Sequence, residues 1–375
     1  MARAAGPRDG VPGRNLDRIL PYAPPHKVFD GFDPSEMARL SVAAYSGDAA
    51  EVQKLLHLGF DIETKDDRNR TPLYHAAGSG HAEVVAALLE EGASVQAQDD
   101  EGHVPLHAAA MHGHAEVAAQ LVEVPLTDVA AATFHGSSPL HFAACEGHTE
   151  VVALLLQNNA EVGAVDSDGC TPNHYAARCG RVAAVEQLLD CGISAAAKDR
   201  RGCTALHASA SHGHVAVAQL LVARGAAPDA ADGGGSTPLY QAARWGHVDV
   251  AAALLDHGAH HDVADNGGLV ASHTAAASGH TAVLRLLLDR GAAVEAPGGV
   301  ERHRPLHHAA RQGHAEVVAL LLERGAGAGI SSGDGVAPLH LAAKGQHEEV
   351  MRLLADTGFA RRNVLAADTE SLAIY

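Results

Sequence analysis

The sequence predicts an all-α protein built by stacking one repeating unit, and three observations indicate this fold class. The motif Thr237-Pro-Leu-Tyr-Gln-Ala-Ala-Arg-Trp-Gly-His247 recurs nine more times along the 375 residues. The composition, 47% hydrophobic but only 3% aromatic, is typical of Ala/Leu/Val helix stacking rather than of a large globular core. A fixed period in this range indicates a stacked-repeat solenoid. The third motif residue stands at positions 40, 73, 106, 140, 173, 206, 239, 272, 306 and 339, with seven steps of 33 residues and two of 34.

The motif predicts a short first helix in each unit. A Thr or Ser, such as Thr71, precedes a proline; its hydroxyl can accept from a helix N-terminal amide, and proline suits the first helical position. The leucine and the Ala-Ala pair then form an apolar stripe at helical spacing. A glycine such as Gly80 ends the helix, because it adopts positive φ without steric cost. In two copies Asn173 and Ser272 replace the leucine, which forfeits roughly 1.5–3 kcal/mol of burial per site.

A second helix and a turn complete the unit. Apolar segments such as residues 83–89 follow the first glycine, and a second glycine, here Gly92, closes them. Asp-x-x-Gly segments such as residues 99–102 then favour tight turns between units, in the manner of β-turn or hairpin connections. A helix pair of this size cannot bury its apolar face alone, so stability must come from stacking on its neighbours.

Motif and period together resemble the ankyrin-repeat family, over roughly residues 36–360 and about ten repeats. Residues 71–77, 138–144 and 337–343 are the clearest copies of its Thr-Pro-Leu-His-x-Ala motif. The resemblance implies an elongated solenoid with a concave face made of turn tips and first helices. It also implies that fifteen of the 27 histidines are structural, bonded to capping hydroxyls and loop backbone. They are His81, His107, His114, His141, His148, His174, His207, His214, His247, His273, His280, His307, His314, His340 and His347.

Three regions are expected along the chain. Residues 1–34, rich in Gly, Pro and Arg, predict a disordered leader. An arginine-rich start is also typical of organelle transit peptides, although Asp9 and Asp17 argue against that alternative. Residues 35–360 predict the repeat domain, with the first and last repeats as caps, and residues 361–375 a short C-terminal tail.

Charge and hydropathy narrow the class of protein. The formal charge of −18 disfavours a general nucleic-acid binder. No window approaches the roughly 20 apolar residues of a membrane span, and the N-terminus lacks an apolar signal core. A cytoplasmic protein is therefore expected, with the nucleus as another possible location, and we expect a monomer.

No catalytic residue, cofactor site or metal site is predicted. The sequence lacks a nucleophile elbow, a phosphate-binding loop and a kinase signature. His257, His260 and His261 are expected to be solvated loop histidines rather than zinc ligands. The five cysteines are expected to be free thiols, in keeping with a reducing compartment; Cys170 and Cys203 occupy equivalent positions one layer apart, too far for a disulfide.

The candidate binding residues come from the variable positions of the expected concave face. Arginine and tryptophan are enriched at interface hot spots, and arginine pairs well with carboxylate or phosphate groups. We therefore expect repeats five to nine to bind an acidic or phosphorylated segment, with the only tryptophan as apolar anchor. The alternative is that this tryptophan packs on the next repeat while the arginines are solvated or ion-paired. Acidic tips in repeats two and three, including Asp67 and Asp100, would favour basic groups instead. The candidates are Met111, Phe134, Arg178, Arg200, Arg201, Arg244, Trp245 and Arg311.

The function expected from these features is that of a non-catalytic scaffold or adaptor that binds a partner protein on its concave face. The alternative is a substrate-recognition or targeting subunit of a larger complex, for example a ubiquitin ligase. That role needs a recruitment segment outside the repeats, and neither leader nor tail shows a convincing one.

Overall fold

The computed structural model describes residues 36–125 and 127–356, which form paired helices in ten successive units. The predicted leader, the tail and the last residues of the predicted repeat domain lie outside the described residues. The first helices are α1 (Glu36–Ser46), α3 (Pro72–Ser79), α5 (Pro105–His112), α7 (Pro139–Glu146), α9 (Pro172–Arg178), α11 (Ala205–His212), α13 (Pro238–Trp245), α15 (Ala271–Ser278), α17 (Pro305–Gln312) and α19 (Pro338–Lys344). The second helices are α2 (Ala49–His57), α4 (Ala82–Glu90), α6 (Ala115–Glu123), α8 (Thr149–Gln157), α10 (Val182–Asp190), α12 (Val215–Ala223), α14 (Val248–Asp256), α16 (Thr281–Asp289), α18 (Ala315–Glu323) and α20 (Glu348–Asp356).

The ends of the first helices follow from the motif. The Thr71 hydroxyl accepts from the backbone N–H of Tyr74, and proline occupies the first turn of α3, as predicted. Gly80 ends that helix with φ of 79°, a left-handed conformation that costs glycine nothing. The tenth repeat has no glycine at this point, and Gln346 adopts the left-handed conformation instead, with φ of 57°.

The core is one continuous stack. Each first helix packs on the first helices of the adjacent repeats, and each second helix packs on the adjacent second helices. In the first nine repeats the motif leucines and Ala-Ala pairs are buried between them, as in Leu73 and Leu239. Asn173 and Ser272 occupy the same buried position, and their side-chain polar atoms have no hydrogen-bond partner. The predicted all-α solenoid is therefore confirmed, with a weak point in the fifth and in the eighth repeat.

Turns connect the repeats, and in six of these loops one aspartate organises the turn. The Oδ1 of Asp99, for example, accepts from the backbone N–H groups of Glu101 and His103. Asp66, Asp166, Asp199, Asp232 and Asp265 bind two amides in the same way. Within residues 36–125 and 127–356 the only β-bridge is an isolated antiparallel one, between Gly298 and His303. No helix in the same ranges is long and apolar enough to cross a membrane.

Candidate partner-binding face

A first set of histidines links six of the first helices to the following loop. In α7 the backbone N–H of Ser138 donates to Nδ1 of His141 at 3.1 Å, and Nε2 donates to the Cys170 carbonyl at 3.0 Å. His107, His174, His207, His273 and His307 make the same pair of contacts in their own repeats. Burial lowers the pKa of His107 to about 3 and that of His141 to about 4, so these rings are neutral near pH 7. They serve as structural hydrogen-bonding groups, as the resemblance implied.

A second set of histidines precedes the second helices and bonds backward. Nε2 of His214 lies 2.8 Å from the Arg178 carbonyl, and Nε2 of His280 lies 3.1 Å from the Arg244 carbonyl. The acceptor is in most cases the carbonyl of the seventh residue of the first helix in the preceding repeat, a place that we call helix position 7. In the fifth repeat Arg181 replaces the histidine and donates to the Cys145 carbonyl at 2.9 Å. In repeats two to nine the carbonyl at helix position 7 is thus bonded to the next repeat, while the side chain at that position varies.

Helix position 7 carries cations in the second half of the stack. Arg178, Arg244 and Arg311 occupy it in the fifth, seventh and ninth repeats, and Lys344 occupies it in the tenth. The small residues Ser211 and Ala277 occupy it in the repeats between. The result is a row of cations along the first helices, separated by gaps.

The arginines at helix position 7 differ in ion pairing from three arginines that follow second helices. Arg224, Arg290 and Arg324 follow second helices, and each has an ion pair of 2.5–2.8 Å with a carboxylate of the preceding repeat. Among the described residues, by contrast, no carboxylate lies within 4.0 Å of the guanidinium groups at helix position 7. Arg224, Arg290 and Arg324 are therefore already ion-paired within the fold, whereas the row on the first helices is not.

The predicted tryptophan anchor lies within this row. Trp245 is 54% exposed, and the guanidinium of Arg244 lies 5.9 Å from its ring centroid. Arg178 stacks on the Tyr175 ring at 4.6 Å, and its Nη2 is buried without a hydrogen-bond partner. Because more than half of the Trp245 side chain is exposed, this residue is not buried against the next repeat, as the alternative interpretation required. An exposed aromatic ring and guanidinium groups without carboxylate partners thus lie along the same row of first helices.

The remaining candidate binding residues differ in how exposed their side chains are. Arg200 and Arg201 are exposed at a loop tip, and Arg201 has a long ion pair with Asp199, 3.7 Å. Phe134 lies at another tip and is 66% exposed. Met111 was expected on the surface but is only 8% exposed, which corrects that prediction. It occupies helix position 7 of the third repeat, where an apolar side chain packs inward instead of remaining in water.

The expectation of five free thiols is wrong for two of them. Cys145 and Cys179 form a disulfide between the fourth and fifth repeats, with Cα atoms 5.6 Å apart. Equivalent positions lie one layer apart, but this pair is offset by one residue, 34 apart in sequence, which brings the two cysteines within bonding range. Cytoplasmic or nuclear localisation stays a prediction.

The structure also gives the surroundings of the other cysteines and of the loop histidines singled out in the sequence. Burial raises the pKa values of Cys170 and Cys203 to about 12, so both remain protonated thiols near neutral pH. The exposed His260 pairs with Asp229, and His257 contacts the Ala253 carbonyl. These two histidines therefore do not converge on a common point with His261.

Comparison with known families agrees with the geometry. A family model described as "Ankyrin repeats (3 copies)" matches residues 40–131, 125–199, 194–265, 261–332 and 306–372. The chain therefore belongs to the ankyrin-repeat family, whose repeats are generally protein–protein interaction modules. No curated protein matches the chain.

Proposed function

We propose that this protein is a non-catalytic scaffold that binds an acidic or phosphorylated protein segment along the concave face of repeats five to nine. The observation that carries the proposal is the row of arginines at helix position 7. Their charges are not neutralised within the described part of the fold, although the protein as a whole is acidic. We further propose that it acts as a monomer in the cytoplasm or nucleus.

The spacing of the row favours an extended partner. Stacked helices lie about 8–10 Å apart, so cations in alternate repeats are roughly 20 Å apart. An extended chain covers that distance with about six residues. A segment with acidic groups about six residues apart would therefore meet Arg178, Arg244 and Arg311 in turn. Ser211 and Ala277 would leave room for its backbone between them.

Trp245 and the arginines would contribute to binding in different ways. Trp245 provides apolar area at low cost in side-chain entropy, as aromatic hot spots do. The arginines provide charge-assisted hydrogen bonds to carboxylate or phosphate, and these bonds also fix the register of the segment. Because exposed charges are screened by salt, affinity should fall as ionic strength rises.

The test is affinity capture from a cell lysate with three proteins. These are the unchanged chain, the double variant Arg244→Glu with Trp245→Ala, and the control Arg285→Glu, which reverses an exposed charge on second helix α16. Circular dichroism first establishes that all three are equally folded. We expect acidic partners to be lost from the double variant alone. An identical set of partners on all three proteins would refute the proposal, and ubiquitin-ligase components in that set would favour the adaptor role.

A further inference from the structure

The loop before the ninth repeat departs from the other loops. In six loops an aspartate binds the turn amides, but here Gly298 stands in its place, and the turn is one residue longer. His303 closes this turn at the same position that His103 occupies in the third repeat. The two histidines can therefore be compared directly.

Their environments differ in one respect. Nδ1 of His103 lies 3.2 Å from both oxygens of Asp99, the aspartate of its own loop. His303 has no such aspartate. It is only 9% exposed, and its buried Nε2 has no hydrogen-bond partner. A buried imidazole nitrogen without a partner is costly unless something binds it.

Two carboxylates from adjacent loops approach this imidazole. Oε2 of Glu301 lies 3.5 Å from Nδ1, and Oδ1 of Asp334 lies 3.9 Å from Nε2. One ligand atom from each of the three residues can be chosen so that all lie within 4.8 Å of one another. The two loops are held together because the N–H of Gly333 donates to the Glu301 carbonyl at 2.6 Å. The Ser332 hydroxyl donates to Asp334 and orients its carboxylate.

We propose that His303, Asp334 and Glu301 form a binding site for a divalent transition-metal ion of the Zn²⁺ type, at the junction of repeats nine and ten. Zinc bonds of about 2.0–2.2 Å to nitrogen and oxygen place neighbouring ligand atoms somewhat more than 3 Å apart, and Nε2 of His303 lies 3.9 Å from Oδ1 of Asp334. His303 ligates through its partnerless Nε2, and Asp334 ligates beside it. The exposed Glu301 rotates its carboxylate to become the third ligand, and water completes the shell. The imidazole selects against Ca²⁺ and Mg²⁺, which prefer oxygen ligands alone.

The site would act as a clamp between two loops. An ion that binds only the folded protein raises its stability by mass action. Because the ligands come from the loops before α17 and α19, binding would stabilise the C-terminal end of the stack. The site is independent of the proposed partner-binding row.

The experiment uses the full chain after treatment with a chelator. Zn²⁺ is titrated in competition with a chromophoric chelator, and the melting temperature is followed with and without the ion. We expect one site whose affinity falls at least tenfold in His303→Ala and in Asp334→Asn, together with the metal-dependent rise in melting temperature. The control His103→Ala removes a histidine at the same turn position and should leave Zn²⁺ affinity unchanged, because its imidazole pairs with Asp99.

Two outcomes would overturn the proposal. One is the absence of a stoichiometric site in the unchanged protein. The other is equal affinity in the unchanged protein and in Asp334→Asn, which would assign the ion to other histidines or thiols. Asp334 is exposed and outside the helices, so its variant decides the question even if His303→Ala disturbs the fold.

Discussion

Repeats two to four and repeats five to nine share one framework but present different surfaces. In both halves histidines bond the first helix to the next loop at 3.0–3.1 Å, as His141 and His207 do. Helix position 7, however, holds Gly78, Met111 and Cys145 in the early repeats and arginine in alternate later ones. A hollow of about 410 Å³ lies beside Gly78, lined mainly by small and histidine residues. Framework positions and candidate binding positions thus lie on the same short helix and vary independently.

The largest predicted effect tests whether the two halves share their framework. Burial depresses the pKa of His307 to about 4, as it does for His141 in the early half. The pKa of each of these histidines is lower in the folded state than in the unfolded state, where it is about 6.5, so the unfolded state binds the proton first. Their contribution to stability is therefore complete above pH 6.5 and is lost as pH falls toward 4. Each such histidine lowers the free energy of unfolding by about 1.4 kcal/mol per pH unit in that window, and the losses from His107, His141 and His307 add. Urea titrations at pH 8, 6.5 and 5 measure it, and a constant free energy of unfolding from pH 8 to 5 would contradict the prediction.

A smaller effect is expected from truncating the core in each half. Leu73→Ala in the second repeat and Leu239→Ala in the seventh each remove a fully buried side chain. Each change should cost about 2–5 kcal/mol of unfolding free energy. Chemical denaturation followed by circular dichroism measures both. A cost below about 1 kcal/mol in one half alone would break the claim of a common framework.

The smallest effect has the opposite sign. Asn173→Leu restores the motif residue and removes two buried polar atoms without partners, so it should raise the free energy of unfolding by about 1–3 kcal/mol. The same denaturation experiment measures it. The reverse substitution in the next repeat, Leu206→Asn, is the control and should destabilise. A loss of stability in Asn173→Leu would mean that the site has closed around the smaller residue.

The framework could be predicted from the sequence because its determinants are local and repeat. A capping Thr, a proline, a leucine and a glycine at fixed spacing specify the same helix wherever they occur. Three features could not be predicted in this way. The burial of Met111 depends on packing at one variable position, and the Cys145–Cys179 disulfide joins positions that are not equivalent. The environment of His303 reflects a missing aspartate, a signal that becomes visible only when its loop is compared with the loop of His103.

The sequence could predict where the candidate binding residues lie in the fold, but not which side chains they contact. Register placed Arg178, Arg244 and Arg311 on one face, because helix position 7 repeats with the motif. Register could not reveal that these arginines lack carboxylate neighbours among the described residues while Arg224 has two. That difference depends on side-chain contacts between repeats.

The most direct measurement of the central claim uses the only tryptophan as a reporter. Fluorescence of Trp245 would be followed during titration with a Glu-rich peptide of about 20 residues and with the same peptide carrying Gln in place of Glu. We expect a saturable change with the Glu-rich peptide that is weaker at high salt and is lost in Arg244→Glu. The change should be retained in Arg68→Glu, an exposed loop-tip control in the early half. Equal responses to both peptides, or an unchanged response in Arg244→Glu, would contradict the claim that the later repeats bind acidic segments.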